Sequence, residues 1–459
     1  MTSILAQSLA SIFAPDALQR PVPRYTSYPT APNFDSSVGP GWYAAWLGEL
    51  APETPLSLYV HIPFCRRVCW FCACRTQGIR TDEPLKHYLD RLEIEVDRVA
   101  GATAAGGDIT QIHWGGGSPS MLSADDMLRL ARVLKAAFPG AEKAPLMIEV
   151  DPRDMDQERF DALPEAGVQS VTVGVQDFAP AVQAAIGRVQ GAVMTADVIG
   201  ALRARGISSI GIDLIYGLPH QTVRSLLTTL EAVLAMAPER IALYGYAHVP
   251  WMARRQSMID AMTLPEASAR IELAMAAREM LTAAGYLPVG IDHFARPGDP
   301  LALAASTRQL QRTFQGYTAD GSAALLAFGA SAIGRLPRGL VQNAPTTAAW
   351  QAAIDAGDLA TVSGTAYGLD DRMRAEAIED MLCHFRFDAA RLTAHYGDMA
   401  GPLRREAAAL MEIAPEGALI PLPQGGFEVA PAWKTHARLI ASAFDAYLGH
   451  RIERHSAAL

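Results

Sequence analysis

The sequence lacks any apolar run that approaches the ~20 residues a helix needs to span a bilayer. It is also poor in basic residues: its 459 residues include 39 Lys and Arg against 48 Asp and Glu, a net charge of −9. This balance disfavours nonspecific binding to nucleic acid or to an anionic membrane. The first twenty residues have an apolar face but no positive charge at their start, so we expect no export signal.

Cysteine is scarce as well. There are only five cysteines, and four of them lie between positions 65 and 74, which does not make a disulfide framework. We therefore expect a reducing, cytoplasmic location. The composition, 50% hydrophobic and 19% charged, indicates a compact soluble protein of two or three domains, and we expect a monomer.

The clustered cysteines form the most informative segment, which reads YVHIPFCRRVCWFCACR from Tyr59. Cys65, Cys69 and Cys72 have the spacing Cys-x3-Cys-x2-Cys, which differs from ferredoxin motifs and from zinc knuckles. Three thiolates on a four-iron cube leave one iron open, as a catalytic centre requires. Cys74 is either a fourth ligand or a separate functional group. A zinc or redox cysteine cluster is the alternative to an iron–sulfur site.

From Leu56 onward, strand-like apolar segments alternate with helical patterns. This alternation predicts an α/β fold with a parallel sheet and right-handed crossovers. Six such units make an open (β/α)6 partial TIM-type barrel, with its chemistry at the carboxyl ends of the strands. The predicted strands are Leu56 to Val60, Ile109 to Trp114, Leu146 to Val150, Ser170 to Val175, Ile210 to Ile215 and Arg240 to Tyr246.

A polar or glycine-rich cluster follows each predicted strand, so all six clusters are expected on one face of the barrel. Gly115, Gly116 and Gly117 allow close backbone approach and offer N–H donors to a ligand, or simply form a tight turn. Glu149 follows an apolar run, where an unpaired charge is costly. A sulfonium or ammonium ligand would relieve that cost, as would an internal salt bridge with an arginine.

Three further polar residues lie at the ends of later strands. Asp213 is suited to hydrogen-bond a ribose diol. Gln176 and Arg188 could bind the carboxylate of a second ligand through an amide and a guanidinium.

The segments that flank the barrel have different patterns. Residues 1–55 read as a proline-punctuated arm, residues 56–345 as the barrel, and residues 346–459 as a small, mostly helical domain. The pattern of the C-terminal part predicts helices at 373–384, 402–413 and 435–448 around a hairpin at 418–429. This arrangement is winged-helix-like. Because this part is acidic, we expect a structural or lid role rather than DNA binding.

The cysteine motif resembles that of the radical S-adenosylmethionine (SAM) enzymes. Tyr59, the HIPFC run from His61, the FCAC run that ends at Cys74 and the RYTSYPT segment from Arg24 resemble the family of oxygen-independent coproporphyrinogen III oxidases. The resemblance implies a [4Fe–4S] cluster, two molecules of SAM and a low-potential electron donor of the flavodoxin or ferredoxin type. It also implies decarboxylation of two propionates of coproporphyrinogen III to vinyl groups by a 5′-deoxyadenosyl radical, giving protoporphyrinogen IX.

The resemblance implies residue roles as well. The cluster ligands would be Cys65, Cys69 and Cys72, and the catalytic residues Tyr59, Cys74, Glu149 and Asp213. Contacts to the cluster-bound SAM are implied for Tyr59, Gly116, Glu149 and Ile333. Contacts to the second SAM are implied for Phe71, Gly117, Ser118, Gln176, Arg188, Asp213 and Ala247. Two positions depart from the family pattern, Ser118 where threonine is common and Gly187 where asparagine is familiar.

Two other functions stay open at this point. One is a haem chaperone that retains the cluster, against which Cys74 argues. The other is a different radical SAM reaction on a tetrapyrrole, methylation or haem ring opening. The four carboxylates of the expected substrate predict an arginine-lined mouth, with Arg24, Arg75 and Arg296 as candidates.

Overall fold

The structure, a computed structural model, describes residues 11–14, 16–104, 108–448, 456 and 458. Nineteen strands are present in this part: β1 Leu56–Ile62, β2 Phe64–Cys65, β3 Gln77–Gly78, β4 Ile109–Gly116, β5 Leu146–Val150, β6 Val168–Gln176, β7 Ser209–Tyr216, β8 Arg240–Gly245, β9 Leu287–Val289, β10 His293–Ala295, β11 Gln311–Thr313, β12 Gly316–Thr318, β13 Ala324–Phe328, β14 Ile333–Leu336, β15 Gly339–Asn343, β16 Thr361–Ala366, β17 Arg386–Asp388, β18 Leu419–Pro421 and β19 Gly426–Val429.

Fourteen α-helices accompany these strands in the described residues: α1 Pro40–Gly48, α2 Glu83–Ala102, α3 Ala124–Ala137, α4 Gln157–Ala166, α5 Pro180–Ala185, α6 Ala192–Ala204, α7 Val223–Ala235, α8 Ala267–Ala283, α9 Pro300–Ser306, α10 Thr347–Asp355, α11 Leu369–His384, α12 Ala389–Tyr396, α13 Gly401–Ile413 and α14 Ala437–Ser442. A search of the described helices finds no candidate membrane span.

The predicted open barrel is confirmed. Strands β1, β4, β5, β6, β7 and β8 are neighbours in this order and run parallel, with at least one helix between each strand and the next. A seventh parallel strand, β13, pairs with β1 on its other side. Antiparallel strands extend both edges, β14 to β16 beyond β13 and β10 then β9 beyond β8. The sheet therefore stays open.

Helical periodicity positions the layer around the sheet. In α2 the residues at the predicted spacing, from Leu85 to Val99, are buried in the main core. Ser123 caps α3 as expected, because its Oγ accepts a hydrogen bond from the Asp126 N–H at 3.1 Å. Burial of these apolar stripes against the strands supplies most of the driving force for this layer.

One buried carboxylate joins α2 to the edge of the sheet. Glu95 is 2% exposed and accepts hydrogen bonds from Gly329 N–H at 2.6 Å, Asn343 Nδ2 at 2.7 Å and Trp350 Nε1 at 3.0 Å. Burial raises the pKa of Glu95 to about 7, and these three donors oppose the shift. We call these four residues the Glu95 seam.

The arm and the last part of the chain pack into a second core. Ile12, Val22 and Tyr25 share this core with the helices and strands that follow residue 370. The Tyr25 hydroxyl donates to Asp445 Oδ2 at 3.0 Å, and Arg438 Nη2 donates to Val22 O at 2.9 Å. The arm therefore contributes to a wall that the end of the chain completes.

Two sequence expectations for this part have clear outcomes. The hairpin is confirmed as β18 and β19, and β17 pairs with the free edge of β19. The helix expected at 435–448 is wrong in length, since α14 covers only Ala437–Ser442. The Asp445 carboxylate accepts from the Tyr447 N–H at 2.8 Å, which favours a turn over a further helical turn. The three predicted domain ranges stay predictions. Strand β16, which lies within the range predicted for the C-terminal domain, is an edge strand of the large sheet.

Candidate active site at the open end of the barrel

The cysteine loop follows β1 at the carboxyl end of the sheet. All three motif cysteines are free thiols. Ser118 Oγ lies 3.8 Å from Cys65 Sγ and donates to it. Cys69 Sγ accepts from Arg188 Nη1 at 3.5 Å and from Arg153 Nη2 at 3.7 Å. Two guanidinium groups thus face the Cys69 sulfur, whereas burial raises the pKa of the Cys65 thiol to about 11 against the Ser118 hydrogen bond.

Contacts to the segment after β8 hold the far side of the same loop. Arg255 Nη2 donates to Thr76 O at 2.6 Å. Gln256 Nε2 donates to Phe71 O at 2.7 Å and to Ala247 O at 3.0 Å. Two of the predicted cofactor contacts, Phe71 and Ala247, are therefore fixed to each other through one amide.

Cys74 lies beside the third motif cysteine. Its thiol is hydrogen-bonded to that of Cys72, and it lines a cavity with Arg75 and Arg255. A cysteine ligand set of this kind favours iron–sulfur chemistry over oxygen-ligated metals. Within the described residues no three His, Cys, Asp or Glu side chains are grouped to hold a single metal ion. Three free thiols on one loop suit a four-iron cube, in which each sulfur binds a different iron.

Tyr59 is surrounded by polar side chains from β1 and β4. Its hydroxyl lies 3.0 Å from His61 Nδ1, and its ring meets that of His113 edge to face with the centroids 5.7 Å apart. Parallel register aligns Tyr59 with His113, so the two rings are side by side on the barrel's inner face. His113 Nε2 in turn lies 3.4 Å from Glu149 Oε1.

Glu149 has partners within the chain, but no arginine among the described residues is one of them. It accepts from His113 and, at 3.1 Å, from the Gly116 N–H. Burial by itself would raise the pKa of Glu149, yet these hydrogen bonds and the charge of His113 lower it overall. The salt bridge with an arginine, one of the two sequence alternatives, is therefore wrong. About 35% of the side chain is exposed towards the open end of the barrel.

The three glycines are required by the packing of the chain on itself. A Cβ at Gly115 would lie 2.6 Å from Glu149 Oε1, one at Gly117 would lie 2.5 Å from Phe64 O, and one at Gly116 would collide with His61. The Gly117 N–H donates to Ile62 O at 2.8 Å. The expectation that Gly116 and Gly117 offer N–H donors to a ligand is thus wrong, since both donors are already used.

The second predicted set of ligand contacts centres on β6 and β7. The register of β6 shifts between Gly174 and Gln176, and Gln176 has φ 76°, a rare conformation for a residue other than glycine. Such a bulge redirects a side chain at a strand end. Arg188, 6% exposed, donates to Gly174 O at 2.6 Å and to Asp151 Oδ2 at 3.1 Å. Its Nε has no partner in the described part of the chain.

Asp213 and Ile333 complete the expected set. Burial and then the negative charge of Glu149 raise the pKa of Asp213 to about 7, while Arg188 opposes the shift. The parallel register pairs Asp213 with Gly174 of β6 on one side and with Ala242 of β8 on the other. Ile333 begins β14, two strands from β1 across the sheet.

Sequence reasoning missed two groups. Asp151 binds both Arg153, at 2.6 Å, and Arg188, and so orients the two guanidinium groups on Cys69. Its signal was a carboxylate two residues after Glu149. Asp292 and Arg312 form a second group, for which the sequence offered no motif.

The three candidate substrate arginines have different positions. The arm brings Arg24 to the barrel's open end, where Nη2 donates to Gly245 O at 2.6 Å. Arg75 is in the cysteine loop. The prediction for Arg296 is wrong, because its Nε donates to Pro238 O at 3.0 Å before β8 begins, at the opposite end of that strand.

Comparison with known proteins places this geometry in a wider context. Residues 59–233 match the model of the radical SAM superfamily. The chain is 44% identical to an oxygen-independent coproporphyrinogen III oxidase of Paracoccus denitrificans over 95% of its own length and 96% of the relative's. It is 42% identical to the enzyme of that name from Bradyrhizobium diazoefficiens, over 95% and 97% of the two chains. Among solved structures, coproporphyrinogen III oxidase from Escherichia coli, described as a radical SAM enzyme, has a TM-score of 0.87 and 34% identity, covering 94% of this chain and 100% of its own.

Proposed function

The chain belongs to the family of oxygen-independent coproporphyrinogen III oxidases, and from this premise we propose how its own residues serve the reaction. It is a radical SAM oxidoreductase of haem biosynthesis that converts two propionates of coproporphyrinogen III to vinyl groups without oxygen. The relatives that share this name span nearly its whole length. This favours the oxidase over haem transfer, methylation or ring opening.

The arrangement that supports our residue roles is the set of three free thiols on one loop at the carboxyl end of β1. Cys65, Cys69 and Cys72 would hold a [4Fe–4S] cluster. Arg153 and Arg188 would offset the negative charge of the Cys69 thiolate. When bound, the cluster and SAM supply the electron transfer and the radical chemistry.

The chain's contribution is binding, orientation and exclusion of water. Glu149, held by His113 and the Gly116 N–H, presents a carboxylate to a cationic group of SAM. Tyr59, between His61 and His113, forms the adjoining wall. Cys74 is assigned a functional role separate from cluster ligation, because the three motif cysteines suffice to hold a cube with one open iron.

We assign a second SAM to the side of the site formed by β6 and β7. Its contacts would be Phe71, Gly117, Ser118, Gln176, Arg188, Asp213 and Ala247. Two observations support this assignment. Arg188 Nε is a buried donor without a partner in the described residues, and the bulge at Gln176 redirects a polar side chain at the end of β6. Gly116 and Ile333 are assigned to the first SAM. A low-potential electron donor, a monomeric state and a cytoplasmic location complete the proposal.

Product analysis under strict anaerobiosis tests the function. The reconstituted protein, supplied with SAM, a low-potential reductant and coproporphyrinogen III, should release two CO2 for each protoporphyrinogen IX formed. Equilibrium dialysis of the same preparation with labelled SAM should give a binding ratio of two. Haem binding without CO2 release would contradict the function, and a ratio of one would contradict only the second SAM.

A further inference from the structure

Arg312 is a buried cation whose hydrogen bonds are incomplete. It lies in the β11–β12 hairpin and is 8% exposed. Its Nη2 reaches Asp292 Oδ2 at 3.5 Å, and its guanidinium lies 4.7 Å from the centre of the Tyr317 ring. Within the described residues, Nε and Nη1 have no partner.

Such a group is costly unless something else binds it. Native proteins pair nearly all buried polar atoms, and a buried charge lacking hydrogen bonds carries an uncompensated desolvation penalty. Arg374 shows the complete alternative in the same chain. At 9% exposed, it is paired with Asp370, Glu406 and the Phe444 carbonyl at 2.8–3.0 Å. Arg312 therefore has the donors of a binding site rather than those of a structural ion pair.

Two cavities meet at Arg312. One is lined by the arm from Tyr25 to Tyr28. The other, which we call the cationic cavity, is lined by five basic side chains and one acidic one: Arg24, Arg278, Arg312, Lys434, Arg438 and Asp292. In a chain with a net charge of −9, this concentration of positive charge attracts a polyanion that the rest of the surface repels.

The basic side chains of this cavity differ in the hydrogen bonds that they make within the chain. Arg438 donates to Val22 O at 2.9 Å and to Ala458 O at 2.7 Å, and so joins the arm to the end of the chain. Its role is structural. Of the four others, Arg24 donates to the carboxyl end of β8, and Arg312 donates to Asp292, the residue before β10.

The cationic cavity adjoins the proposed cofactor site through β8. Arg24 donates to Gly245 O at the carboxyl end of this strand. Tyr244, the residue before, is influenced by both sites: burial and the charges of Asp213 and Asp292 raise the pKa of Tyr244, and Arg312 opposes them. A tetrapyrrole whose reacting side chain faces Asp213 would extend its other carboxylates towards Arg312.

We propose that Arg312, assisted by Arg24, binds a propionate carboxylate of the tetrapyrrole in the cationic cavity. This inference rests on the proposed function and names residues that position its substrate. The guanidinium fork supplies two donors, Nε and Nη1, in the geometry that one carboxylate accepts. Arg312 is a positioning residue, because the bond it forms is remote from the reacting atoms.

A binding comparison tests the proposal with holoenzyme and a stable probe. Coproporphyrin III should bind the wild type more tightly than its tetramethyl ester, measured by fluorescence titration. In Arg312→Gln this preference should fall about 10- to 100-fold, the worth of a charge-assisted hydrogen bond. Arg312→Lys should restore part of it, since the charge stays and the fork is lost. Arg296→Gln, at the other end of β8, is the matched control and should keep the full preference.

Turnover separates this inference from the function itself. Arg312→Gln should raise KM for coproporphyrinogen III with a smaller change in kcat, whereas Arg296→Gln should change neither KM nor kcat. If Arg312→Gln does not fold, Arg24→Gln tests the same cavity. An unchanged acid-to-ester preference in the folded variants overturns the inference, even though the wild type makes protoporphyrinogen IX. A wild type that makes none overturns the proposed function instead.

Discussion

Glu95 in the Glu95 seam and Arg312 in the cationic cavity are both buried ionisable side chains. Glu95 is 2% exposed and has three donors within 3.0 Å. Arg312 is 8% exposed and has one acceptor at 3.5 Å. The first is surrounded by packed side chains and the second faces two cavities. Burial alone therefore does not distinguish a structural charge from a binding one, whereas completeness of partners beside a cavity does.

The largest effect is expected at the cysteines, whose thiols are proposed to bind a ligand rather than to stabilise the fold. Cys65→Ala, Cys69→Ala and Cys72→Ala should each reduce methionine release to background, because each removes one proposed ligand of the cluster. Cys383→Ala is the control, since Cys383 is a buried residue of a small apolar core. It should keep the iron content and visible absorption of the wild type. Full activity in any of the three ligand variants would contradict the cluster assignment.

Glu149 lies between Glu95 and Arg312 in how completely it is paired. It has two donors from the chain, His113 and the Gly116 N–H, and part of its side chain is exposed. Glu149→Gln should lower the rate of SAM cleavage by about 10²-fold, since removing one preorganised charged group from an active site has an effect of this size. Methionine release under reductant measures it. Glu158→Gln, in the first turn of α4, serves as the control. Equal rates in both variants would show that Glu149 is structural.

The Glu95 seam predicts a pH dependence of stability. The pKa of Glu95 is raised from 4.5 to about 7, so the folded state retains a proton that the unfolded state releases. The stability due to this group is complete below pH 4.5 and is lost as the pH rises to 7, by up to about 3 kcal/mol. Thermal midpoints of the wild type and Glu95→Gln, compared at pH 5 and 7.5, should diverge in favour of the variant at the higher pH. A constant difference would contradict the shifted pKa.

Packing at the glycine loop should give the smallest effect. Gly117→Ala adds a methyl group 2.5–2.8 Å from backbone atoms of Ile62 and Phe64, and should cost about 1–3 kcal/mol in denaturant unfolding. Gly101→Ala, near the end of α2 with nothing within 4 Å, should stabilise by about 0.5–1 kcal/mol. If Gly117→Ala is neutral, a ligand rather than packing would account for the glycine.

The cofactor side of the site could be predicted because its residues follow strands within short motifs. Parallel strands bring Tyr59, Glu149 and Asp213 to one edge whatever lies between them. Periodicity likewise gave all six barrel strands and several of the helices, among them α2 and α3.

The cationic cavity could not be predicted in this way. Arg24, Arg312 and Arg438 come from the arm, a short hairpin and the last described helix. The sequence offered Arg24 as a candidate, but no pattern linked it to the other two. Their meeting depends on tertiary packing of segments about 400 residues apart, as in the hydrogen bond from Arg438 to Val22. The partner of Glu149 within the chain was equally hidden: the sequence offered a cationic ligand or an arginine, and the strand β4 supplies His113.

The second core joins the earliest described residues to the latest. Val22 donates its N–H to Ser456 O at 3.1 Å, and the Ala458 N–H donates to Arg20 O at 3.0 Å. Neither segment can therefore form this wall alone, so a change that loosens the last described residues should also free the arm and its Arg24 from the barrel.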